Sequence, residues 1–142
     1  MNTQDFTKTI VVSKSAAEVY ETLKNVKAWW SGLYNEDIKG ESERVGDEFS
    51  FSAGEGVHYS KQRLIELEPG KKVVWLVTDS NLSFLQKPDE WNGSRIRFDI
   101  AGEGDKAQLT FTHEGLVPAI ECYGQCTSAW TAYLDNLEKQ LQ

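Results

Sequence analysis

Apolar residues recur along this chain with two different periods, and the change between them predicts where strands give way to helices. Residues 6–12 (FTKTIVV) are β-branched and partly alternating, which predicts a first strand. Ser13 or Ser15 then caps a short helix, with Glu18 in its first turn and Val19, Tyr20 and Leu23 on its apolar face. Residues 26–32 (VKAWWSG) predict a second short helix ended by Gly32. The polar stretch 34–45 reads as loop. Strands follow at 48–52, around Phe49 and Phe51, at 57–67 and at 73–77. Gly54 and Gly56 permit the first reversal, and Glu68-Pro69-Gly70-Lys71 places Pro and Gly where a type II turn wants them.

The cleanest alternation runs over 94–100, where Ile96, Phe98 and Ile100 face one way and Arg95, Arg97 and Asp99 the other. After Gly102-Glu103-Gly104-Asp105, the positions Leu109, Phe111 and His113 continue the inward set while Gln108, Thr110 and Thr112 point outward. Hairpin-length gaps make neighbouring strands antiparallel. The period then changes. Over 118–142, Tyr123, Cys126, Trp130, Tyr133 or Leu134, Leu137 and Leu141 recur at steps of three and four, the signature of one long amphipathic helix.

A helix with such a stripe must bury it, and the strand-rich middle is the partner available. The order predicts an α+β fold in one domain, residues 1–142. A curved antiparallel sheet wraps its concave face around the long C-terminal helix, and the two short helices after the first strand plug one end. One connection, 79–93 (DSNLSFLQKPDEWNG), is too long for a turn and carries Leu82, Phe84, Leu85 and Trp91. Those side chains either close one end of the core or line and gate the mouth of a cavity.

Composition narrows the function classes. The chain has 142 residues, 39% of them hydrophobic, with five Trp, five Tyr and six Phe, which is enough to bury a core without staples. A formal charge of −7 argues against nucleic acid or anionic membrane as main partners. No apolar run is long enough for a membrane-spanning helix. The first residues lack a secretory signal, so a cytoplasmic location is expected. Cys122 and Cys126 lie one helical turn apart and are expected as free thiols.

The residues Trp29-Trp30 after the first helix, Glu68-Pro69-Gly70 before Val73-Val74-Trp75, Thr112-His113-Glu114-Gly115-Leu116 after the last strand, and the aromatic final helix together resemble a known family. It is the Aha1-C-terminal-like (activator of Hsp90 ATPase homologue) branch of the START-related SRPBCC superfamily. The resemblance covers the chain from the first strand to Leu141 and rests on the order and spacing of short motifs. It implies a helix-grip fold with an apolar pocket between sheet and helix. Related folds bind lipids or hormones, cyclise polyketides or touch a chaperone, so fold alone does not set the activity.

On the inward set, the pocket walls draw on Trp30, Phe49, Phe51, Trp75, Phe98 and Phe111. His113 lies at their edge, and the terminal helix adds Tyr123, Cys126 and Trp130. This is the character of a ligand site, apolar with a few orienting polar groups. The same residues also describe an ordinary core, and the hollow reading comes from the resemblance. His113 offers two readings, a ligand contact or acid–base group, and a buried imidazole satisfied by backbone or by Glu114. Tyr123 and Tyr59 are the other polar contacts weighed.

Cys122, Cys126, His58 and His113 lack zinc-site spacing, and no metal or cofactor is expected. The GxSxG elbow, the P-loop and the dinucleotide fingerprint are missing from the sequence. The sequence reading is therefore a binding module for a small hydrophobic or aromatic molecule, lipid-like molecules included. An Hsp90-associated module and a cofactor-independent, polyketide-cyclase-like enzyme are the alternatives.

Overall fold

The curvature of one antiparallel sheet places everything else in this protein. The structure, a computed structural model, describes residues 5–30, 36–53, 58–83, 86, 89, 91–116 and 123–141, apart from the side chains of Glu103 and Gln125. The strands are β1 (Phe6–Val12), β2 (Asp37–Gly40), β3 (Glu48–Ala53), β4 (His58–Glu68), β5 (Lys72–Leu82), β6 (Arg95–Glu103) and β7 (Lys106–Glu114). Helices α1 (Ala16–Lys24) and α2 (Val26–Trp29) follow β1, and α3 (Tyr123–Gln140) follows β7. The seven strands form one sheet in the order β1-β7-β6-β5-β4-β3-β2. This is the expected α+β, helix-grip arrangement.

The first strand pairs with the last, in register from Phe6 opposite His113 to Val12 opposite Ala107. Register shifts between β4 and β5, at Lys61/Gln62 and at Leu64/Glu66, interrupt the ladder. Such bulges increase local twist and bend, which is how an antiparallel sheet becomes concave enough to hold a helix. Of the two caps proposed for α1, Ser15 is used: its hydroxyl accepts from the Glu18 N–H at 3.3 Å and donates to the Glu18 carboxylate at 3.2 Å. Val19, Tyr20 and Leu23 are buried.

Two stretches differ from the sequence reading. Residues 37–40, read as loop, form β2, because tertiary pairing with β3 overrides a polar composition. Gly40 makes that pairing feasible: at φ +112° its added Cβ would lie 2.4 Å from the Glu48 carbonyl oxygen. The second difference is β5, which runs on to Leu82 instead of stopping at Val77. Its polar residues Asp79, Ser80 and Asn81 are held by Lys61, Ser60 and Tyr59 of β4, so the long connection is shorter than expected.

Gly32, Phe84, Leu85 and Cys122 lie outside the described residues, as do the first positions of the proposed terminal helix. Of the described residues, no helix is long and apolar enough to cross a membrane. On α3, Cys126, Trp130, Tyr133, Leu134 and Leu137 are buried against the sheet, and both alternatives at 133 and 134 face inward. Polar contacts fix the helix lengthwise: Asn136 donates to the Trp29 carbonyl at 3.0 Å and Gln140 to the Ala28 carbonyl at 2.6 Å.

Candidate functional site in the concave interior

Alternation along each strand decides which side chains meet between sheet and helix. Phe49 and Phe51 of β3 are buried, and their cross-strand partners on β4 are Gln62 and Ser60. Directly paired residues share a face, so β4 turns His58, Ser60, Gln62 and Leu64 inward. On β5, Trp75, Val77, Ser80 and Leu82 are opposite Leu64, Gln62, Ser60 and His58. Trp75 continues to Ile96 on β6, and Phe98 and Ile96 continue to Phe111 and His113 on β7. The interior is therefore aromatic around a polar track on β4.

Trp130 is the hub of this interior. Its ring lies 5.0 Å from Trp30, 4.7 Å from Phe111 and 6.0 Å from Trp91, centroid to centroid. Trp30 in turn stacks on Trp29 at 5.5 Å and on Phe51 at 4.9 Å, and meets Phe49 edge-on at 5.6 Å. Phe98 joins Phe111 at 5.1 Å and Trp75 at 6.0 Å. These are packing distances for aromatic pairs. Around Trp130, then, side chains occupy the space between sheet and helix.

Of the sequence-named site residues, Trp30, Phe49, Phe51, Trp75, Phe98, Phe111, His113, Cys126 and Trp130 are buried and share this one interior. Tyr123, at the start of α3, is partly buried and packs against it. Trp75 also donates its indole N–H to Ser42 at 2.8 Å.

His113 has neither partner that the sequence suggested. Trp130 donates its indole N–H to His113 Nδ1 at 3.0 Å, so Nδ1 must be an unprotonated acceptor. In the neutral ring the proton then sits on Nε2, which donates to Ser94 Oγ at 2.9 Å. Ser94 in turn donates its hydroxyl to the Trp91 carbonyl at 2.6 Å. One tautomer satisfies the whole chain. Burial, with His58 nearby as a lesser cause, pushes the His113 pKa down to about 3. Both nitrogens are committed, so this imidazole is a structural crosslink between α3 and β7.

Sequence reasoning passed over Ser94, Ser60 and Gln62, weighed His58 only as a metal ligand, and left Trp91 between closing the core and gating a cavity. Counting back by twos from Leu64 would have placed Gln62, Ser60 and His58 on the inner face, but polar residues there look like outward ones. Trp91 is buried on the connection after β5. It meets the His58 ring at 4.8 Å and the His113 ring at 4.7 Å, both edge to face. Burial lowers the His58 pKa to about 4. Of the weighed metal ligands, both histidines face inward, and no group of three or more His, Cys, Asp or Glu among the described residues is placed to hold an ion. Cys126 is buried and takes part in no disulfide.

The comparisons with known proteins agree with this architecture. The family model described as "Activator of Hsp90 ATPase homolog 1-like protein" matches residues 14–142. The chain belongs to the AHSA1 family. No curated protein matches its sequence. Among solved structures, the AHSA1 chain is similar to the Aha1 dimer from Colwellia psychrerythraea, with 23% identity over 97% of this chain and 96% of that one, at a TM-score of 0.75. Protein CV1439 from Chromobacterium violaceum has 20% identity over 96% and 95% of the two chains, at a TM-score of 0.70. DynU16, a putative protein in the dynemicin biosynthetic locus, has 14% identity over 95% of this chain and 46% of that one, at a TM-score of 0.63. At these identities the likeness is one of fold.

Proposed function

We propose that this AHSA1 protein is a single-domain, cytoplasmic binding module for a small hydrophobic or aromatic molecule, taken up between the concave sheet and the first half of α3. The observation that carries this reading is the origin of the tryptophans around Trp130. Trp30 and Trp91 come from segments outside the sheet, yet both fill its concave face. A planar ligand can replace Trp91 against the Trp130 ring without breaking a strand pair. Binding then selects an arrangement in which the Trp91 side chain has left the Trp130 ring, which costs affinity but no refolding of the sheet.

The test is native mass spectrometry with naphthalene-sized aromatic and fatty-acid probes, read alongside intrinsic Trp fluorescence. Complexes of one ligand per chain with an altered Trp emission support the reading. A chain that stays unliganded with unchanged emission across the panel would sink it.

The alternatives stand on less. An Hsp90-homologue contact is favoured by the family's description, and pull-down with the cell's own Hsp90 homologue tests it. A cyclase-like enzyme draws on the fold shared with DynU16. It would need an acid or base other than His113, whose two nitrogens are engaged.

A further inference from the structure

Gln62 is out of place for a side chain that only fills a core. It is 0% exposed, faces inward from β4, and is paired with Phe49 on one side and Val77 on the other. Its Nε2 donates to Ser60 Oγ on the same strand face. Its Oε1 is equally buried and has no hydrogen-bond partner. Native interiors rarely leave such an acceptor open. The neighbouring hydroxyl that could reach inward from β5 is committed elsewhere, because Ser80, opposite Ser60, donates to Asn92 at 2.7 Å.

We infer that the bound molecule carries a hydroxyl or N–H group that donates to Gln62 Oε1, and that the Ser60–Gln62 pair is the polar anchor of an otherwise aromatic site. This rests on the binding function proposed above. The placement also sets the ligand's size. Gln62 lies four residues from His58 along one strand face, roughly 13 Å at the usual rise. A fused two-ring body anchored at Gln62 extends over Ser60 toward His58, where Trp91 now packs. Aromatic alcohols and N–H heteroaromatics have this form, an apolar plate with one donor at its end.

Rotating the Gln62 amide would exchange its ends and leave an N–H free in place of a carbonyl oxygen. The ligand would then have to bring an acceptor. The two cases are separable with matched probes.

The experiment titrates the wild-type chain with 2-naphthol, 2-methoxynaphthalene and 2-naphthaldehyde, measuring affinities by calorimetry. The expected result is 2-naphthol binding about tenfold tighter than the methyl ether, the worth of one net hydrogen bond. The Gln62→Met variant, close in volume and with its fold checked by circular dichroism, should bring that ratio to near unity.

Equal binding of the alcohol and the ether by the wild-type chain would overturn the anchor, leaving a buried water as the partner of Gln62, while the binding function stands. Preference for the aldehyde would overturn the donor assignment. If none of the three probes binds, the anchor for an aromatic donor is overturned, and the wider aromatic and fatty-acid panel decides the binding function separately. The wild-type ratio decides the matter even if the variant does not fold.

Discussion

Trp130 and His113 form a side-chain crosslink across the interior, with the indole N–H of α3 donating to the imidazole Nδ1 of β7 at 3.0 Å. The bond sets the tautomer of the histidine, and through Nε2 it extends to Ser94 and the Trp91 carbonyl. The helix, the last strand and the connection after β5 are thereby held at one point.

Breaking one side of that crosslink should cost more than the lost ring area. Trp130→Phe leaves Nδ1 buried without a donor, adding about 1–3 kcal/mol to the packing loss. His113→Leu removes the orphan, so the double variant should be less destabilised than the sum of the singles, by about 1 kcal/mol or more in a cycle of urea unfolding. Strict additivity would mean that the bond contributes nothing.

Acid should weaken the fold through its two inward histidines. Both have folded-state pKa values depressed below the ordinary 6.5, His58 to about 4 and His113 to about 3. The unfolded chain therefore binds more protons as pH falls below about 6.5, and the stability present at neutral pH is lost toward those lower values. The slope should be roughly 1.4 kcal/mol per pH unit for each histidine. Unfolding free energies at pH 7, 6 and 5 measure it, and His113→Leu should shallow the slope. Equal slopes in the two proteins would contradict a neutral buried His113.

Gly40 should tolerate no side chain. An alanine there would adopt an unfavourable positive φ and press its Cβ against the Glu48 carbonyl, costing about 1–3 kcal/mol by strain alone. Thermal unfolding of Gly40→Ala reads the loss. An unchanged midpoint would show that the β2 pairing is not needed.

Trp91 should act as a removable plug. Trp91→Ala empties space beside Trp130 and both histidines and should lower stability by about 3–5 kcal/mol. The same vacancy should speed association of 2-naphthol in stopped-flow fluorescence. Slower association would place the ligand elsewhere.

How much of this the sequence discloses depends on the kind of signal each element carries. The alternation of Ile96, Phe98 and Ile100 and the stripe from Tyr123 to Leu141 are period signals, and the sheet and α3 follow from them. β2 and the second half of β5 have no such signal, because their pairing depends on partners distant in sequence, as Asp79 on Lys61 does. The aromatic half of the interior was legible because large rings at inward positions declare themselves. Its polar half was not. Gln62, Ser60 and His58 occupy inward positions with residue types that prefer water, and only the register against Phe49, Phe51 and Ala53 reveals it. The partners of His113 were hidden likewise, since Ser94 and Trp130 lie on separate elements.

The most direct test of the central claim is a two-dimensional 1H–15N titration of the wild-type chain with 2-naphthol, following the Trp indole and Gln side-chain amide signals. Binding in the concave interior predicts saturable shifts at the Trp30, Trp91 and Trp130 indoles and at the Gln62 amide. The Lys139 and Glu138 backbone signals, at an open depression beside Val11 and Asp135, should stay in place. Shifts confined to that outer depression, with the three indoles and Gln62 unmoved, would contradict an interior binding site.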